Sequence, residues 1–542
     1  MRFNLSQKLN RIKSIMSAHL NVSGQVGGYN LEENTDPEFA NSVYNIFDKD
    51  APESETDTRY VVYLLPERRI AEDTTVITYT MAKQNNKFTD LAGIRIVGGV
   101  LLEKQKNSTG DWKLATEEDC VSVINNVAQA QFAKIVITLN DTEITDPASD
   151  PYPYTSYMAT LFNTTPEFKK HLETEIYCKD TAGTFHVTDN IPLHEYSWKV
   201  DPDCFTEVKY GIPNFTADAN AKFENCTEAT MTALKAGDLT IRRERDEKYN
   251  EGFVKRRAKL LGITEPAPFL RRLDHDIVTA LSVVPPRTTI GFKFYKKDQS
   301  FLILKDAAKH RNDKFRLRLV NMQVEMQLST VKPKVGTPYM RMLKSPSHLP
   351  TVNFTRNFTK MYNVLASHTL DFGNPNWITN GPIPDTIILS FVRQKAFLGD
   401  DRLNPFNMEM IQFNAINLIV DGTPFNQYDY NSNTEAGRRH LYHMLQDSCG
   451  RNQQTGFLLD ISYEEFLGGF FFLYFDLTPA KDNRATKTFK REGSMQIRLK
   501  TDAAKEKNKF LDTSDNWVVL VHTVFAADAR FYGDQVVVSQ FV

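Results

Sequence analysis

One local pattern occurs twice in this sequence, at an offset of about 280 residues. An alternating apolar strand is followed by a two-residue turn and then by a segment that favours a helix. The first copy is IVITLNDTEI (135–144) with TSYMATLF (155–162), and the second is INLIVDGTPF (416–425) with RRHLYHMLQ (438–446). Asn-Asp and Asp-Gly are turn dipeptides between alternating runs, and they favour hairpins. The duplication therefore predicts two similar β-rich units in tandem.

The rest of the chain beyond about residue 60 supports an all-β interpretation. Short runs rich in Val, Ile, Thr, Phe and Tyr are typical of strands. They occur at 74–81, 92–102, 133–139, 289–295, 315–328, 385–392, 415–421, 470–477, 495–499 and 516–531. Long loops between them, including an insertion at 164–240, suit antiparallel double sheets of the jelly-roll type. A sandwich with another connectivity would give nearly the same pattern.

The predicted division has four parts. Residues 1–58 form an N-terminal extension, residues 59–335 a first jelly roll with long inserted loops, residues 336–350 a Pro-rich linker, and residues 351–542 a second jelly roll. At 542 residues the chain exceeds what one hydrophobic core usually supports, which agrees with more than one domain.

The N-terminal extension contains a candidate basic amphipathic helix. Its apolar residues recur at helical spacing and are Leu5, Leu9, Ile12 and Met16, and its cations are Lys8, Arg11 and Lys13. Such a helix touches membrane or nucleic acid in some proteins, but packing on a neighbouring subunit or domain is the commoner role.

Composition excludes several functional classes. Lys+Arg 65 against Asp+Glu 67 gives a formal charge of −2, so no global field attracts nucleic acid or an acidic membrane. The five cysteines are odd in number and form no CxxC pair, which argues against a disulfide framework and a zinc site and favours reduced thiols. No apolar run reaches the length of a membrane span, and no secretory signal is evident, so synthesis in the cytosol is expected.

No established catalytic motif is present. The phosphate loop GxxxxGK[ST], GxGxxG after a strand, GxSxG and HExxH all fail to match. Three weaker clusters have simpler explanations. His440 and His443 with Asp447 and Cys449 lie on an ordinary amphipathic helix, Asp274-His275-Asp276 would alternate sides in a strand, and Glu464-Glu465 are too close in sequence to face one sugar. We expect no catalytic residue, no cofactor and no metal.

A charged segment, RRERDEKYNEGFVKRRAKLL (242–261), contains a local basic group. A solvated charged surface is the default interpretation. Lys255, Arg256 and Arg257 nevertheless carry enough positive charge to contact phosphate or the inner face of an assembly.

Several short motifs then occur in a fixed order along both halves. The first half has Thr89-Asp90-Leu91 before a strand, Tyr152-Pro153-Tyr154 before a helix, Lys179-Asp180-Thr181-Ala182-Gly183, and Asn250-Glu251-Gly252 followed by Arg256-Arg257. The second half has Asn404-Pro405-Phe406-Asn407, Leu418-Ile419-Val420-Asp421-Gly422, Tyr463-Glu464-Glu465-Phe466 with Gly468-Gly469, and Phe475-Asp476-Leu477-Thr478-Pro479. Through these motifs the chain resembles the double-jelly-roll major capsid proteins of Polinton (Maverick) elements and related adintovirus-like viruses.

The resemblance implies two eight-stranded jelly rolls per chain and homotrimers that form pseudo-hexagonal tiles of an icosahedral shell. It implies partners of three kinds, namely further copies of the chain, penton or other minor capsid proteins, and a packaged DNA genome. The expected location is the virion capsid, with assembly in the host cytoplasm or nucleus and no membrane anchor. A capsid-derived host interaction protein and, less favoured, a carbohydrate-active β-sandwich enzyme remain the alternatives.

Overall fold

The structure is a computed structural model of the 542-residue chain. It describes residues 25–26, 29–30, 56–108, 110–145, 151–188, 250–279, 283–307, 309–342, 350–364, 378–425, 430–449, 459–477, 492–501, 516–532 and 535–538. The chain divides into two compact units, Met1–Asp57 and Thr58–Val542. In the first unit, strands β1 (Gln25–Val26) and β2 (Tyr29–Asn30) form an antiparallel pair. The predicted helix with Lys8, Arg11 and Lys13 lies outside the described residues.

Among the described residues, the first half of the larger unit contains twelve strands. They are β3 (Thr56–Leu64), β4 (Val76–Met81), β5 (Phe88–Gln105), β6 (Trp112–Leu114), β7 (Val121–Val123), β8 (Phe132–Leu139), β9 (Thr142–Glu143), β10 (Ala267–Arg272), β11 (Val283–Val284), β12 (Ile290–Lys296), β13 (Ile303–Lys305) and β14 (Lys314–Val331). Two sheets contain ten of them, and β6 and β11 each pair with β5 outside the main strand order. Sheet 1 has the order β3-β14-β5-β10, and sheet 2 has the order β4-β12-β8-β9.

The second half repeats this arrangement. Its strands are β15 (Thr351–Val364), β16 (Ile378–Pro382), β17 (Thr386–Arg393), β18 (Phe413–Val420), β19 (Thr423–Pro424), β20 (Phe472–Asp476), β21 (Glu492–Thr501), β22 (Trp517–Tyr532) and β23 (Gln535–Val538). Sheet 3 has the order β15-β22-β17-β20, and sheet 4 has the order β16-β21-β18-β19.

The strand order identifies the fold. If the eight main strands of each half are numbered along the chain, both halves have one sheet in the order 1-8-3-6 and a second in the order 2-7-4-5. The central pairings, β5 with β14, β8 with β12, β17 with β22 and β18 with β21, are antiparallel, and this connectivity is that of a jelly roll. The chain is therefore an all-β protein with a double jelly roll, as the sequence predicts.

The two predicted hairpin turns are present. Asn140 and Asp141 connect β8 to β9 with φ of 46° and 65°, and Asp421 and Gly422 connect β18 to β19 with φ of 49° and 75°. Positive φ at both central residues defines the primed turn that matches the twist of the flanking strands, and Asn, Asp and Gly tolerate it best.

Nine short α-helices connect the strands. They are α1 (Val127–Ala130), α2 (Tyr152–Asn163), α3 (Pro166–His171), α4 (Glu251–Leu260), α5 (Gln299–Leu302), α6 (Pro333–Met342), α7 (Gln394–Leu398), α8 (Glu435–Cys449) and α9 (Tyr463–Leu467) among the described residues. Helices α2 and α8 follow the two hairpin turns, so the whole strand-turn-helix repeat is confirmed. Helix α6 occupies the start of the segment expected to be a Pro-rich linker.

Candidate functional site at the junction of the two jelly rolls

The family-like motifs from distant parts of the chain come together where the two jelly rolls meet. The segments concerned are α2, residues 178–186, the start of α4, residues 404–409 and α9 with the residues that follow it. This set is called the junction below. Each segment contributes buried side chains or glycines to it.

A buried ion pair lies at the centre of the junction. The Arg256 Nη2 atom is 2.6 Å from Asp180 Oδ1, and neither side chain is exposed to solvent. Arg256 also donates to the carbonyl oxygens of Val123 (Nε, 2.9 Å) and Cys178. A buried charge is costly unless it is paired and hydrogen-bonded, and here the guanidinium has both kinds of partner.

Asp180 connects three chain segments. Its Oδ1 accepts from Asn250 Nδ2 at 3.0 Å, and its Oδ2 accepts from Asn404 Nδ2 at 3.2 Å. Asn404 belongs to the second jelly roll, whereas Asp180, Asn250 and Arg256 belong to the first. One carboxylate thus links the two halves through charge-assisted hydrogen bonds.

The basic cluster requires a correction. Arg256 is fully buried, and Arg257 is 1% exposed and donates from Nε to the Asp119 carbonyl at 3.1 Å and from Nη2 to the Glu117 carbonyl. Burial lowers the pKa of Arg257. Both guanidinium groups face the interior, where they donate hydrogen bonds to backbone carbonyl oxygens. Because they are buried, these two arginines do not offer the expected contact to nucleic acid.

Lys255 points outward from the same helix. Its side chain is about half exposed and its Nζ lies 3.3 Å from Glu251 Oε1 one turn earlier. The proposed contact of Lys255 with phosphate stays a prediction.

The Asn-x-Gly motif begins helix α4. Asn250 is the N-cap, and its Oδ1 accepts from the backbone N–H of Phe253 at 3.2 Å. A Cβ atom at Gly252 would lie 2.8 Å from the Cys178 carbonyl oxygen and closer still to that of Lys179. Only glycine lets the helix approach the Asp180 segment this closely.

Backbone contact also joins the two halves directly. The N–H of Gly183, which has φ of 78°, donates to the carbonyl oxygen of Gly468. At Gly469, with φ of 129°, a Cβ would lie 2.6 Å from Asn407 Oδ1. These glycines of the KDTAG-like and Gly-Gly motifs are needed for close approach of two chain segments and for left-handed backbone.

Lys179 fixes α9 against the first jelly roll. Its Nζ is 2.8 Å from Glu465 Oε1, donates to the Asp460 carbonyl, and lies 5.3 Å from the centre of the Phe470 ring. Glu465 also closes a capping box with Ser462 at the start of α9. Glu465 thus has structural partners in an ion pair and a helix cap.

Aromatic rings fill the apolar part of the junction. Tyr157 stacks on Phe406 with ring centres 4.2 Å apart, and Tyr154 meets the same ring edge-on at 5.7 Å. Tyr154 also stacks on Phe397 at 5.7 Å. Stacked and edge-to-face aromatic pairs each contribute about 0.5–1.5 kcal/mol beyond their area burial. Burial raises the pKa values of Tyr154 and Tyr157 well above the usual value, so both stay neutral.

Other motif residues have local structural places. The Tyr152 hydroxyl donates to Gln129 Oε1, and Pro405 is buried. Asp421 Oδ1 accepts from the backbone N–H of Ser494 at 2.7 Å, beside the turn at Gly422. Asp476, which ends β20, is buried. Pro479 lies outside the described residues.

A histidine that sequence inspection missed completes the link between the halves. The Nδ1 atom of His186 accepts from the backbone N–H of Asn404 at 2.9 Å, and its Nε2 is 3.3 Å from Glu409 Oε1. Arg393 donates to the same carboxylate at 2.8 Å. Histidine at 186 carries no motif, so only its position in the fold reveals this role.

Helix α2 covers part of the outer face of sheet 3, at Thr359 of β15 and Tyr474 of β20. Thr359, His522, Ile388 and Tyr474 form one cross-strand row of that sheet. Thr155 of α2 hydrogen-bonds to Thr359 at 3.0 Å between Oγ1 atoms, and Thr359 Oγ1 lies 2.8 Å from His522 Nδ1. At the other end of the row, the Phe162 ring of α2 lies 5.8 Å from Tyr474. Burial lowers the pKa of His522 to about 4, and its imidazole is therefore neutral near pH 7.

The remaining candidate clusters show structural contacts. Asp274 accepts from Gln129 Nε2 at 2.7 Å and from Arg271 Nη2 at 3.1 Å, and the His275 ring stacks on Tyr152. His440 and His443 are exposed on α8. Within the described part of the chain, no three His, Cys, Asp or Glu side chains are grouped as metal ligands would be, and no helix is both long and apolar enough to span a membrane.

The junction thus consists of ion pairs, caps, glycine contacts and stacked rings that hold two jelly rolls in one arrangement. Its charged side chains and amides are paired with each other, whereas the buried hydroxyl groups of Tyr154 and Tyr157 have no hydrogen-bond partner. The arrangement suits a rigid double block.

A solved structure with a similar fold comes from a virophage. A chain of the Sputnik virophage, in its 3.5 Å cryo-EM structure, matches with a TM-score of 0.51 and 9% sequence identity over 90% of this chain and 89% of that chain. At this identity the match establishes the double jelly-roll fold alone. The faustovirus major capsid protein (TM-score 0.48, 8% identity, 96% of this chain and 98% of that chain) and the mavirus major capsid protein (0.44, 10%, 92% and 94%) are also similar. No protein-family model matches the sequence, and no curated protein does.

Proposed function

We propose that this chain is a viral major capsid protein whose homotrimers form hexon-like, pseudo-hexameric capsomers of an icosahedral shell. The observation that carries the proposal is the repetition of one strand order in two jelly rolls joined by a buried junction. Three such chains supply six similar blocks around a three-fold axis. Closed cyclic symmetry lets one sequence specify the whole ring.

The junction gives this role a physical basis. A tile must keep a fixed angle between its two blocks, because a variable angle would not close a ring. Polar contacts between the halves favour one arrangement, since shifting the halves would take Asn404 away from the buried Asp180 carboxylate and would separate Lys179 from Glu465. The stacked Tyr157 and Phe406 rings favour the same arrangement.

The motifs support an origin among Polinton/Maverick-like elements and adintovirus-like viruses, with jelly rolls at 59–335 and 351–542 and a non-enzymatic role. Expected partners are further copies, penton and other minor capsid proteins, and packaged DNA, which Lys255 or the N-terminal cations Lys8, Arg11 and Lys13 would contact. The expected location is the virion capsid, after synthesis in the host cytosol.

Shell formation tests the proposal. The full chain is expressed alone and together with vertex proteins encoded beside it, and lysates are fractionated on density gradients and imaged by negative stain. We expect trimers and, with vertex proteins, closed shells. A protein that trimerises but never forms shells would indicate a capsid-derived host interaction protein. Hydrolysis of polysaccharides by a monomer would indicate a carbohydrate-active enzyme instead.

A further inference from the structure

A groove lies between the two jelly rolls, at one end of each sandwich. It is lined by the segment between β12 and β14, which includes α5 and β13, and by α7 with the residues that follow it. In the numbering of the eight main strands, these are connection 7–8 of the first jelly roll and connection 3–4 of the second. Connections from an odd to an even strand lie at one end of an antiparallel sandwich, so the two segments can meet there. This feature, together with the neighbouring strand β6, is called the seam groove below.

Direct contacts fix the two jelly rolls to each other across the seam groove. The backbone N–H of Lys305 donates to the Asp401 carbonyl oxygen at 2.8 Å, and Lys305 Nζ lies 2.8 Å from Asp401 Oδ2. Gly399 ends α7 with φ of 96°, and a Cβ at this position would lie 2.8 Å from Ser300 Oγ. The close approach requires glycine, so the walls of the groove are held in place by the fold.

The size of the seam groove limits what it can hold. It consists of two adjoining recesses of about 560 and 380 Å³, and Ser300, Lys305 and Asp401 line both. Pockets of about 300–1,000 Å³ suit compact organic ligands. These volumes suit a few sugar rings or nucleotides, and they are too small for a nucleic-acid duplex or a folded domain.

The walls of the seam groove carry more positive than negative charge. Six cations and two carboxylates line it, whereas the whole chain has 65 Lys and Arg against 67 Asp and Glu. The cations are Lys305, Arg311, Lys314, Arg316, Lys395 and Arg402, and the carboxylates are Asp400 and Asp401. A groove lined in this way attracts anions.

Two of these cations are available to a ligand. Lys305 and Arg402 pair with the two aspartates, and Arg316 pairs with glutamates beyond the groove. Arg311 and Lys314 are exposed, and neither has an acidic partner in the part of the chain that the structure describes. Free guanidinium and ammonium groups bind sulfate, phosphate and carboxylate through charge-assisted hydrogen bonds.

Trp112 and the two carboxylates decide the kind of anion. The Arg316 guanidinium lies 4.2 Å from the centre of the Trp112 ring and so fixes the half-buried indole in the wall. A fixed aromatic ring packs against the apolar face of a sugar ring, as it does against a base. The carboxylates of Asp400 and Asp401, 16% and 32% exposed, accept hydrogen bonds from sugar hydroxyl groups but repel a dense polyanion such as nucleic acid. This combination favours a hydroxyl-rich ligand with few anionic groups.

We propose that the seam groove binds an acidic glycan, that is, an oligosaccharide that carries a sulfate or carboxylate group. Arg311 and Lys314 pair with the acidic group, and Trp112 packs against a sugar ring. Binding itself does not depend on the proposed capsid function. In an assembled shell the site serves attachment to glycans of a cell surface, and this use rests on the capsid proposal.

Titration calorimetry on the purified full-length chain tests the site. The probes are 3′-sialyllactose and 3′-sulfolactose, which distinguish a carboxylate from a sulfate, together with neutral lactose and a short single-stranded oligothymidylate. The groove variants are Arg311→Glu with Lys314→Glu, and Trp112→Ala. The control is Lys170→Glu with Lys360→Glu, which reverses two exposed charges outside the groove. We expect at least one acidic trisaccharide to bind, at least tenfold weaker binding by both groove variants, wild-type binding by the control, and no saturable binding of lactose.

Two further measurements separate binding from folding. Arg311 and Lys314 are exposed, so reversal of their charges should leave the circular dichroism spectrum unchanged. Trp112→Phe keeps an aromatic ring in the wall and should retain most of the affinity that Trp112→Ala loses.

The outcomes distinguish this inference from its rivals. Equal binding by the wild type and both groove variants overturns it, and so does a lack of binding of either acidic trisaccharide at millimolar concentration. Tighter binding of the oligothymidylate, weakened by the same variants, overturns it as well and assigns the groove to nucleic acid. Shells that form from a chain without glycan binding leave the capsid proposal intact, whereas glycan binding by a chain that never assembles supports the groove alone.

Discussion

Removal of the Asp180 carboxylate is the most informative single perturbation of the junction. Asp180→Asn keeps the size of the side chain and leaves Arg256 buried with a formal charge and no counter-ion. Breaking a buried pair in this way costs about 3–5 kcal/mol, because the remaining charge keeps its desolvation penalty. Both side chains are fully buried at 2.6 Å separation, so the upper part of that range applies.

A surface pair of the same length provides the control. Arg402 Nη2 is also 2.6 Å from Asp400 Oδ2, but the arginine side chain is 61% exposed. Exposed pairs contribute about 0–1 kcal/mol, so Asp400→Asn should change stability little. Comparison of the two variants isolates the effect of burial from that of distance.

The assay is urea unfolding, followed by tryptophan fluorescence and by far-ultraviolet circular dichroism. Trp517 is 2% exposed, so its fluorescence will report unfolding of the second jelly roll. We expect a large fall in the free energy of unfolding for Asp180→Asn. The double variant Asp180→Asn/Arg256→Met should recover part of the loss, because the unpaired charge is gone. Equal, small effects for Asp180→Asn and Asp400→Asn would refute the reasoning.

Two further predictions concern packing and pH. Gly252→Ala should destabilise the protein by about 1–3 kcal/mol because the new Cβ meets backbone carbonyl oxygens. The control is Gly336→Ala in α6, where the nearest atom to the new Cβ would be 3.8 Å away, and it should be neutral or slightly stabilising. Thermal unfolding of both variants checks this, and equal melting temperatures would contradict it. His522 has a folded-state pKa of about 4 against an ordinary 6.5, so the unfolded chain binds the proton first as the pH falls. Its contribution to stability is complete above pH 6.5 and decreases towards pH 4 by up to about 1.4 kcal/mol per pH unit. Urea titrations from pH 7 to 4.5 should show a shallower slope for His522→Gln than for the exposed-site control His443→Gln, and identical slopes would disprove the assignment.

Strand positions were predictable from the sequence because alternation and β-branched residues report burial on one face of a sheet. The run 315–328 lies within β14, and both hairpin turns occur at the predicted dipeptides. Strand β15 was missed, because TVNFTRNFTKMYNV (351–364) interleaves Asn, Thr and basic residues with its apolar side chains. Most of its polar positions are exposed to solvent, and Thr359 is buried under α2.

The junction was predictable as a set of motifs but not as a site. Sequence spacing cannot show that Asp180 and Asn404, 224 residues apart, share a hydrogen bond. Arg256 and Arg257 illustrate the same limit. A cluster of cations in sequence usually indicates solvent exposure, but here a helix begun by Asn250 turns both guanidinium groups towards buried carbonyls. Burial depends on tertiary packing, which local charge patterns do not report.

Negative-stain class averages of the purified full-length chain test the capsid-tile claim most directly. Three chains with two jelly rolls each should give a particle of hexagonal outline with three-fold symmetry. A stable monomer at all concentrations, or a closed two-fold dimer, would contradict it.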